Sequence, residues 1–292
     1  MDIRDFGMTG IKVSAVGFGA GAVGDWRMDE NEAARLLHSA LDNGITLIDT
    51  ARSYGVSEDR IGKHLAHRRH EYALSTKVGY GVEGVEDWTY DAVRLGINQA
   101  LQKMRTDYID IVHLHSCPKG IIMQENVIWA LEEAVFNGKV RIASYSGENQ
   151  HLSTAIQTNR FSGMMCSLNI CDQRVISNQL PAAKARGMGV IAKRPLANAP
   201  WRFAERPFGH YGEAYWERFR AMDLDLGMDW DEVAIRFSAY TYGVDSVVVG
   251  TQSAEHLARN ARNAENGKLP DHVIDLLRHA FHMNDHHWEG QV

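Results

Sequence analysis

The chain has 292 residues, 45% apolar and 23% charged, enough apolar material for one large core or two small ones. Lys plus Arg number 31 against 37 Asp plus Glu, a formal charge of −6, so no electrostatic feature calls for a polyanionic partner and nucleic acid is not expected as a ligand. Cys117, Cys166 and Cys171 lack the number and spacing of a disulfide framework; Met1-Asp2-Ile3-Arg4-Asp5 is charged where a signal peptide turns apolar, and no apolar run reaches bilayer length. A cytoplasmic protein with no membrane association is expected.

In chain order, residues 4–13 with the Thr9-Gly10 turn are predicted to form a small hairpin. Eight strand candidates follow, at 15–20, 46–50, 72–77, 109–115, 140–146, 164–169, 189–193 and 246–250. Most are continuously apolar, as strands buried on both faces should be. Helical stretches separate them: Ala33, Leu36, Leu37, Ala40 and Leu41 form one stripe behind the acidic Asp29, Glu30 and Glu32, and Val93, Ile97, Ala100, Leu101 and Met104 form another. Strand starts recur at roughly 30 residues, the length of a βαβ unit, except for one long insertion before the last strand. After Pro270, residues Val273, Ile274, Leu276, Leu277, Ala280 and Phe281 predict one more helix. His279, His282, His286 and His287 fit its solvated end, and Trp288 could pack back onto the body. No linker divides the chain, so the expected fold is α/β: a single (β/α)8 TIM barrel over 1–292, with an N-terminal β-hairpin and a C-terminal helical extension.

Gly19-Ala20-Gly21-Ala22-Val23-Gly24 matches G-x-G-x-x-G after a strand. A dinucleotide fingerprint requires a helix to open at once, and Asp25-Trp26-Arg27-Met28 intervenes. These glycines are read instead as letting backbone pass close to a ligand at the barrel mouth.

In a (β/α)8 barrel the chemistry sits at the C-terminal strand ends, and here these are polar. The second strand ends in Asp49-Thr50-Ala51 with Tyr54 beyond it, the third in Ser75-Thr76-Lys77, the fourth in His113-Leu114-His115-Ser116. A lysine beside a tyrosine stabilises phenolate, an aspartate keeps that lysine charged, and a histidine can orient a carbonyl oxygen. The set lacks an electron source, so carbonyl reduction would need a hydride donor. Two rival readings concern the same residues: Lys77 as a Schiff-base lysine, and His113 with His115 as part of a metal site. The latter lacks further ligands, so His113 is expected to be a hydrogen-bonded residue one layer deeper and no metal is expected.

Asp49-Thr50-Ala51-Arg52-Ser53-Tyr54, Ser75-Thr76-Lys77 and Asp107-Tyr108-Ile109-Asp110-Ile111-Val112-His113-Leu114-His115 resemble the consecutive motifs of the aldo-keto reductases. The likeness extends through Gly138-Lys139-Val140-Arg141 to Gly250-Thr251 and Asn260. It implies an NAD(P)(H)-dependent oxidoreductase acting on an aldehyde, ketone or sugar, with Tyr54 as proton donor, Lys77 and Asp49 tuning it, and His115 orienting the carbonyl. It also implies nicotinamide contacts from Ser146 and Asn169, and an adenosine-phosphate segment at Gly250, Thr251, Gln252, His256 and Asn260. Lys193-Arg194-Pro195-Leu196 stands where a Tyr-Ser-Pro run usually lies; its cations suit a pyrophosphate. Gln252 replaces a common Arg, which leaves NADPH favoured and NADH an alternative. A nucleotide-sensing binding subunit of the same fold is a further alternative.

The insertion 194–228 holds Trp201, Phe203, Phe208, Tyr211, Tyr215, Trp216 and Phe219. It is read as a lid, against a small satellite core as the other possibility. Trp26, Trp88 and Trp201 are the substrate-pocket candidates. A monomer is the working expectation.

Overall fold

The computed structural model describes residues 1–291. Strands β1 (Ile3–Asp5) and β2 (Lys12–Ser14) pair antiparallel, Arg4 opposite Val13, and form the predicted hairpin. Eight further strands follow: β3 (Val16–Gly19), β4 (Leu47–Asp49), β5 (Ala73–Val78), β6 (Ile109–His115), β7 (Val140–Ser146), β8 (Gly163–Ser167), β9 (Gly189–Lys193) and β10 (Ser246–Val249). They pair parallel, each with its neighbours in sequence, and β10 closes onto β3, giving a barrel. Every residue of β4, β5, β8 and β10 is buried, as a barrel strand covered on both faces requires, including the polar Asp49, Ser75, Thr76 and Lys77.

The predicted sixth barrel strand ends two residues early. Asn169 leaves the sheet to exchange backbone hydrogen bonds with Asp172, at 3.2 and 3.0 Å, in a tight loop.

Helices α1 (Glu30–Asp42), α2 (Ser57–Leu65), α3 (Tyr90–Met104), α4 (Lys119–Ile122), α5 (Asn126–Phe136) and α6 (Asn149–Thr158) cover the first half of the barrel. The second half carries α7 (Arg174–Ser177), α8 (Leu180–Ala185), α9 (Glu213–Met222), α10 (Trp230–Ala239), α11 (Ala254–Glu265) and α12 (Asp271–Asn284). Asp29 caps α1 by accepting from Asn31 and Glu32 N–H groups, and the helix buries all five residues of its predicted stripe. The C-terminal helix α12 packs against α9 outside the barrel, and Trp288 folds back edge-on to Phe281 with ring centroids 5.4 Å apart. Among the described residues no helix is long and apolar enough to cross a membrane.

The hairpin seals the N-terminal end of the barrel. Phe6 is fully buried and joins Leu47, Ala73, Ile111, Ile142, Ile191 and Val248 in the core inside the sheet. Its ring lies against the start of β9, where a Cβ on Gly189 would stand 2.5 Å from ring carbons. Only glycine allows the plug to seat. Gly189→Ala should therefore lower stability by about 1–3 kcal/mol through overpacking, read as a shifted urea midpoint with an unchanged slope.

Candidate active site

The parallel register sets Asp49 beside Ser75 and Lys77 beside His113, so three adjacent strands deliver polar side chains to one point. Lys77 Nζ donates to Asp49 Oδ2 at 2.6 Å and to the Thr50 carbonyl at 2.8 Å. Ser75 Oγ donates to the other carboxylate oxygen at 2.8 Å, and His113 Nε2 meets Ser75 Oγ at 3.1 Å. The Lys77 and Asp49 side chains are 2% and 4% exposed, so this pair must satisfy itself without water. Burial opposes the charge on Lys77, yet Asp49 and Tyr54 outweigh it and the ammonium sits above its ordinary range. A charged, paired lysine is a poor Schiff-base nucleophile, which argues against that reading of Lys77. His113 is wholly buried, and burial drives its pKa well below 6.5.

Tyr54 comes from the β4–α2 loop and lays its ring beside this pair, the Lys77 Nζ 4.8 Å from the ring centroid. The glycine cluster after β3 has a part in that placement. A Cβ on Gly24 would fall 1.9 Å from the Tyr54 carbonyl oxygen, and the Gly24 carbonyl accepts from Val56 N–H at 3.1 Å. Gly24 thus docks the tyrosine loop, while Gly19 and Gly21 line the mouth. His115 stands edge-on to Tyr54, centroids 6.2 Å apart. Burial first, then the neighbouring Lys77 and Lys193, hold its pKa down to about 3, so the imidazole is neutral at ordinary pH.

These four residues line one cavity of about 670 Å³. Trp88, Ser146, Lys193, Arg194 and Gly250 share it, as does Tyr211 from the insertion expected to form a lid, together with Tyr80, Ser116, Met165 and Val248, which were not among the expected site residues. Tyr80 was the findable one: it follows the strand of Lys77 by two residues. Of the three tryptophan candidates only Trp88 borders this space. Trp26 is 79% exposed and lines a separate groove, because Arg60 donates to the Val23, Asp25 and Met28 carbonyls and holds that loop outward. Trp201 packs on Phe219 and Trp230, its indole N–H on Asp231 at 3.0 Å. Trp201 and Phe219 of 194–228 thus pack together against the main core.

The cations of β9 are engaged with protein. Lys193 pairs with buried Glu148 at 3.1 Å, and Arg194 donates to Tyr211, to Ser167 Oγ at 2.7 Å and to the Gln291 carbonyl. Asn169 uses its amide internally, donating to the Arg194 carbonyl and accepting from Cys171 N–H, and it does not border the cavity. Pro195 offers its carbonyl to Ser238, and Leu196 packs on the core. Beyond Gly250, Thr251 and Ser253 cap the start of α11, His256 lies exposed on its first turn, and Asn260 is buried in it with Oδ1 unpartnered. Gln252 opens onto a second cavity of about 660 Å³ beside Arg27 and Arg35.

Residues 15–281 match the model of the aldo/keto reductase family. The chain belongs to the aldo/keto reductase family. It is therefore an oxidoreductase of a family that uses nicotinamide cofactors and acts on small carbonyl compounds. It is 29% identical over 283 residues to L-galactose dehydrogenase of Arabidopsis thaliana, covering 89% of this chain and 87% of the relative. D-threo-aldose 1-dehydrogenase of a Pseudomonas species is 25% identical over 297 residues, covering 87% and 90%. Among solved structures, the holo form of an aldo-keto reductase from Bacillus halodurans superposes with a TM-score of 0.83 at 25% identity, covering 96% of each chain.

For this aldo/keto reductase the fit of a nicotinamide dinucleotide can be tested on the side chains themselves. Ser146 Oγ is buried and unpartnered on the cavity wall, a hydrogen-bonding group awaiting a ligand amide. Asn260 Oδ1 on α11 is also buried and unpartnered, though it does not border this cavity. The residues present fit the group.

The Lys77–Asp49 pair makes a stability prediction. Asp49→Leu alone strands a buried ammonium and should cost about 3–5 kcal/mol, whereas the double variant Asp49→Leu/Lys77→Met should recover most of it. Chemical denaturation of the two variants checks this; equal losses would contradict the account of the pair.

Proposed function

We propose that this enzyme reduces an aldehyde, ketone or sugar carbonyl, or oxidises the corresponding alcohol, with Tyr54 as the general acid and base. The observation that carries the reading is the meeting of Tyr54, the charged Lys77–Asp49 pair and neutral His115 on one cavity. The chemistry a bound NAD(P)H would supply is the hydride, with its electron pair, that reduction of the carbonyl carbon requires. Tyr54 gives its phenolic proton to the carbonyl oxygen, so that alcohol and tyrosinate result, and the Lys77 ammonium stabilises the tyrosinate until water reprotonates it. Asp49 keeps Lys77 charged and aimed. His115 holds the carbonyl oxygen by donating an N–H, a role open to a neutral imidazole. Ser146 would hold the carboxamide, and Gly250, Thr251, Gln252, His256 and Asn260 the adenosine end. Lys193 or Arg194 would meet the pyrophosphate on leaving part of their present partners. Sugar dehydrogenases among the relatives support a hydroxylated substrate, and Trp88 and Tyr80 provide aromatic faces for one.

A spectrophotometric panel of aldehydes, ketones and aldoses with NADPH and NADH tests the reading. Turnover is expected with higher kcat/KM for NADPH, Tyr54→Phe should lose about 10²–10⁴-fold in kcat, and no limb from His115 should enter the profile between pH 5 and 8. Full activity in Tyr54→Phe would remove the proposed proton donor.

We further propose that only the outer part of 194–228, around Tyr211, closes over bound cofactor. Arg194 stacks on the exposed Tyr211 ring at 5.0 Å at the cavity edge, whereas Trp201 and Phe219 are packed on each other and on the main core. Hydrogen exchange should slow at residues 203–212 when NADPH is added and stay constant at 213–222; uniform exchange in both would sink the lid.

A further inference from the structure

His115 has one side-chain partner among the described residues, and it is Tyr80. The Tyr80 hydroxyl lies 2.8 Å from His115 Nδ1, and the two rings stack with centroids 5.4 Å apart and planes 24° from parallel. Among the described residues the hydroxyl has one other hydrogen-bond partner, Ser53 Oγ at 3.4 Å, the long limit of a hydrogen bond. His115 Nδ1 is thus the nearer and better placed acceptor for the phenolic hydrogen. A phenol is the stronger donor of the two groups and an imidazole nitrogen the stronger acceptor.

The consequence follows from counting protons. A neutral imidazole carries a single N–H, and when Nδ1 accepts, that hydrogen must sit on Nε2. Lys77 and Lys193 face the ring from β5 and β9 and disfavour a second proton. In the other tautomer Nε2 would present a lone pair to a carbonyl oxygen and repel it.

The Tyr80 ring is itself held. Its loop is pinned by Arg52 Nε donating to the Gly81 carbonyl at 2.9 Å and by Gly81 N–H donating to Asp87 at 2.8 Å. Trp88 packs on the Tyr80 ring at 5.5 Å, in a left-handed backbone conformation at φ 60°, and donates its N–H to the Gly79 carbonyl at 2.7 Å. A Cβ on Gly79 would lie 2.2 Å from the Trp88 ring, so the fit depends on that residue having none.

We propose that Tyr80 is a positioning residue that locks His115 as its Nε2–H tautomer, making the imidazole a donor and not an acceptor toward the cavity. Its catalytic consequence rests on the proposed carbonyl chemistry; the tautomer itself does not.

The experiment reads the tautomer directly, in substrate-free full-length protein labelled with ¹⁵N-histidine. Long-range ¹H–¹⁵N spectra at pH 7, with the His115 signals assigned by their loss in His115→Gln, should show a single Nε2–H form. Tyr80→Phe keeps the ring stack and removes the hydroxyl; it should release a mixture of both tautomers and lower kcat by about tenfold with KM nearly constant. An Nδ1–H imidazole in the unaltered protein, or an unchanged Nε2–H form in Tyr80→Phe, overturns the proposal. A released tautomer with unaltered turnover would leave the lock standing and overturn the assignment of His115 to the substrate carbonyl instead.

Discussion

A buried ammonium is the constraint around which the barrel mouth is organised. Lys77 and Asp49 lie above a largely apolar barrel interior, and at 2.6 Å their attraction, with the hydrogen bonds that each ion makes to its neighbours, offsets a desolvation cost of several kcal/mol for each ion. The Thr50 carbonyl takes one lysine hydrogen, and Ser75 occupies the second carboxylate oxygen. His113 then stands on Ser75. Each of these partners comes from β4, the residue after it, β5 or β6, so the charge pair also specifies the register of three strands. A one-residue slip would turn Lys77 out of the barrel and leave Asp49 alone inside it.

The two ends of the barrel are treated oppositely. At the N-terminal end the hairpin inserts Phe6 and excludes water from the interior, which sharpens every electrostatic interaction above it. At the C-terminal end the loops leave an opening of about 670 Å³. Across that opening from Lys77 lies a second buried network in which Glu148 binds Lys193, and Asp172 accepts from Tyr215 at 3.0 Å and from Gln291 N–H at 3.2 Å. Burial, reinforced by Glu148, lifts the Asp172 carboxyl to about 7. The C-terminal segment is thereby tied to the strand ends that face the cavity, through Gln291 on Ser167, Arg194 and Asp172.

Much of this was legible in the chain. β-branched and apolar segments such as Ile109–His115 and Val140–Ser146 coincide with strands because a parallel barrel strand buries most of both faces. The stripe from Ala33 to Leu41 and its acidic start mark α1 because helical spacing and the helix dipole act within one segment. Asp49, Lys77 and His115 were readable because strand ends converge in this fold, and His113 one layer below followed from the two-residue period of a strand. Trp26 and Trp201 were not. An aromatic in a loop carries no label for the direction it faces, and here Arg60 and Asp231, both distant in sequence, decide it.

By itself, then, the sequence determined the repeating βα units, the barrel they close into and the three strand-borne polar groups of the mouth, since these depend on periodicities of two and 3.6 residues and on the parallel order of consecutive strands. Only the tertiary structure decided which loop groups join them. Tyr80 reaches His115, Gly24 seats Tyr54, and Glu148 takes up Lys193 through contacts between segments that no local pattern links. Loop conformations are set by hydrogen bonds and packing to whatever lies across the mouth, and that partner exists only once the barrel has closed.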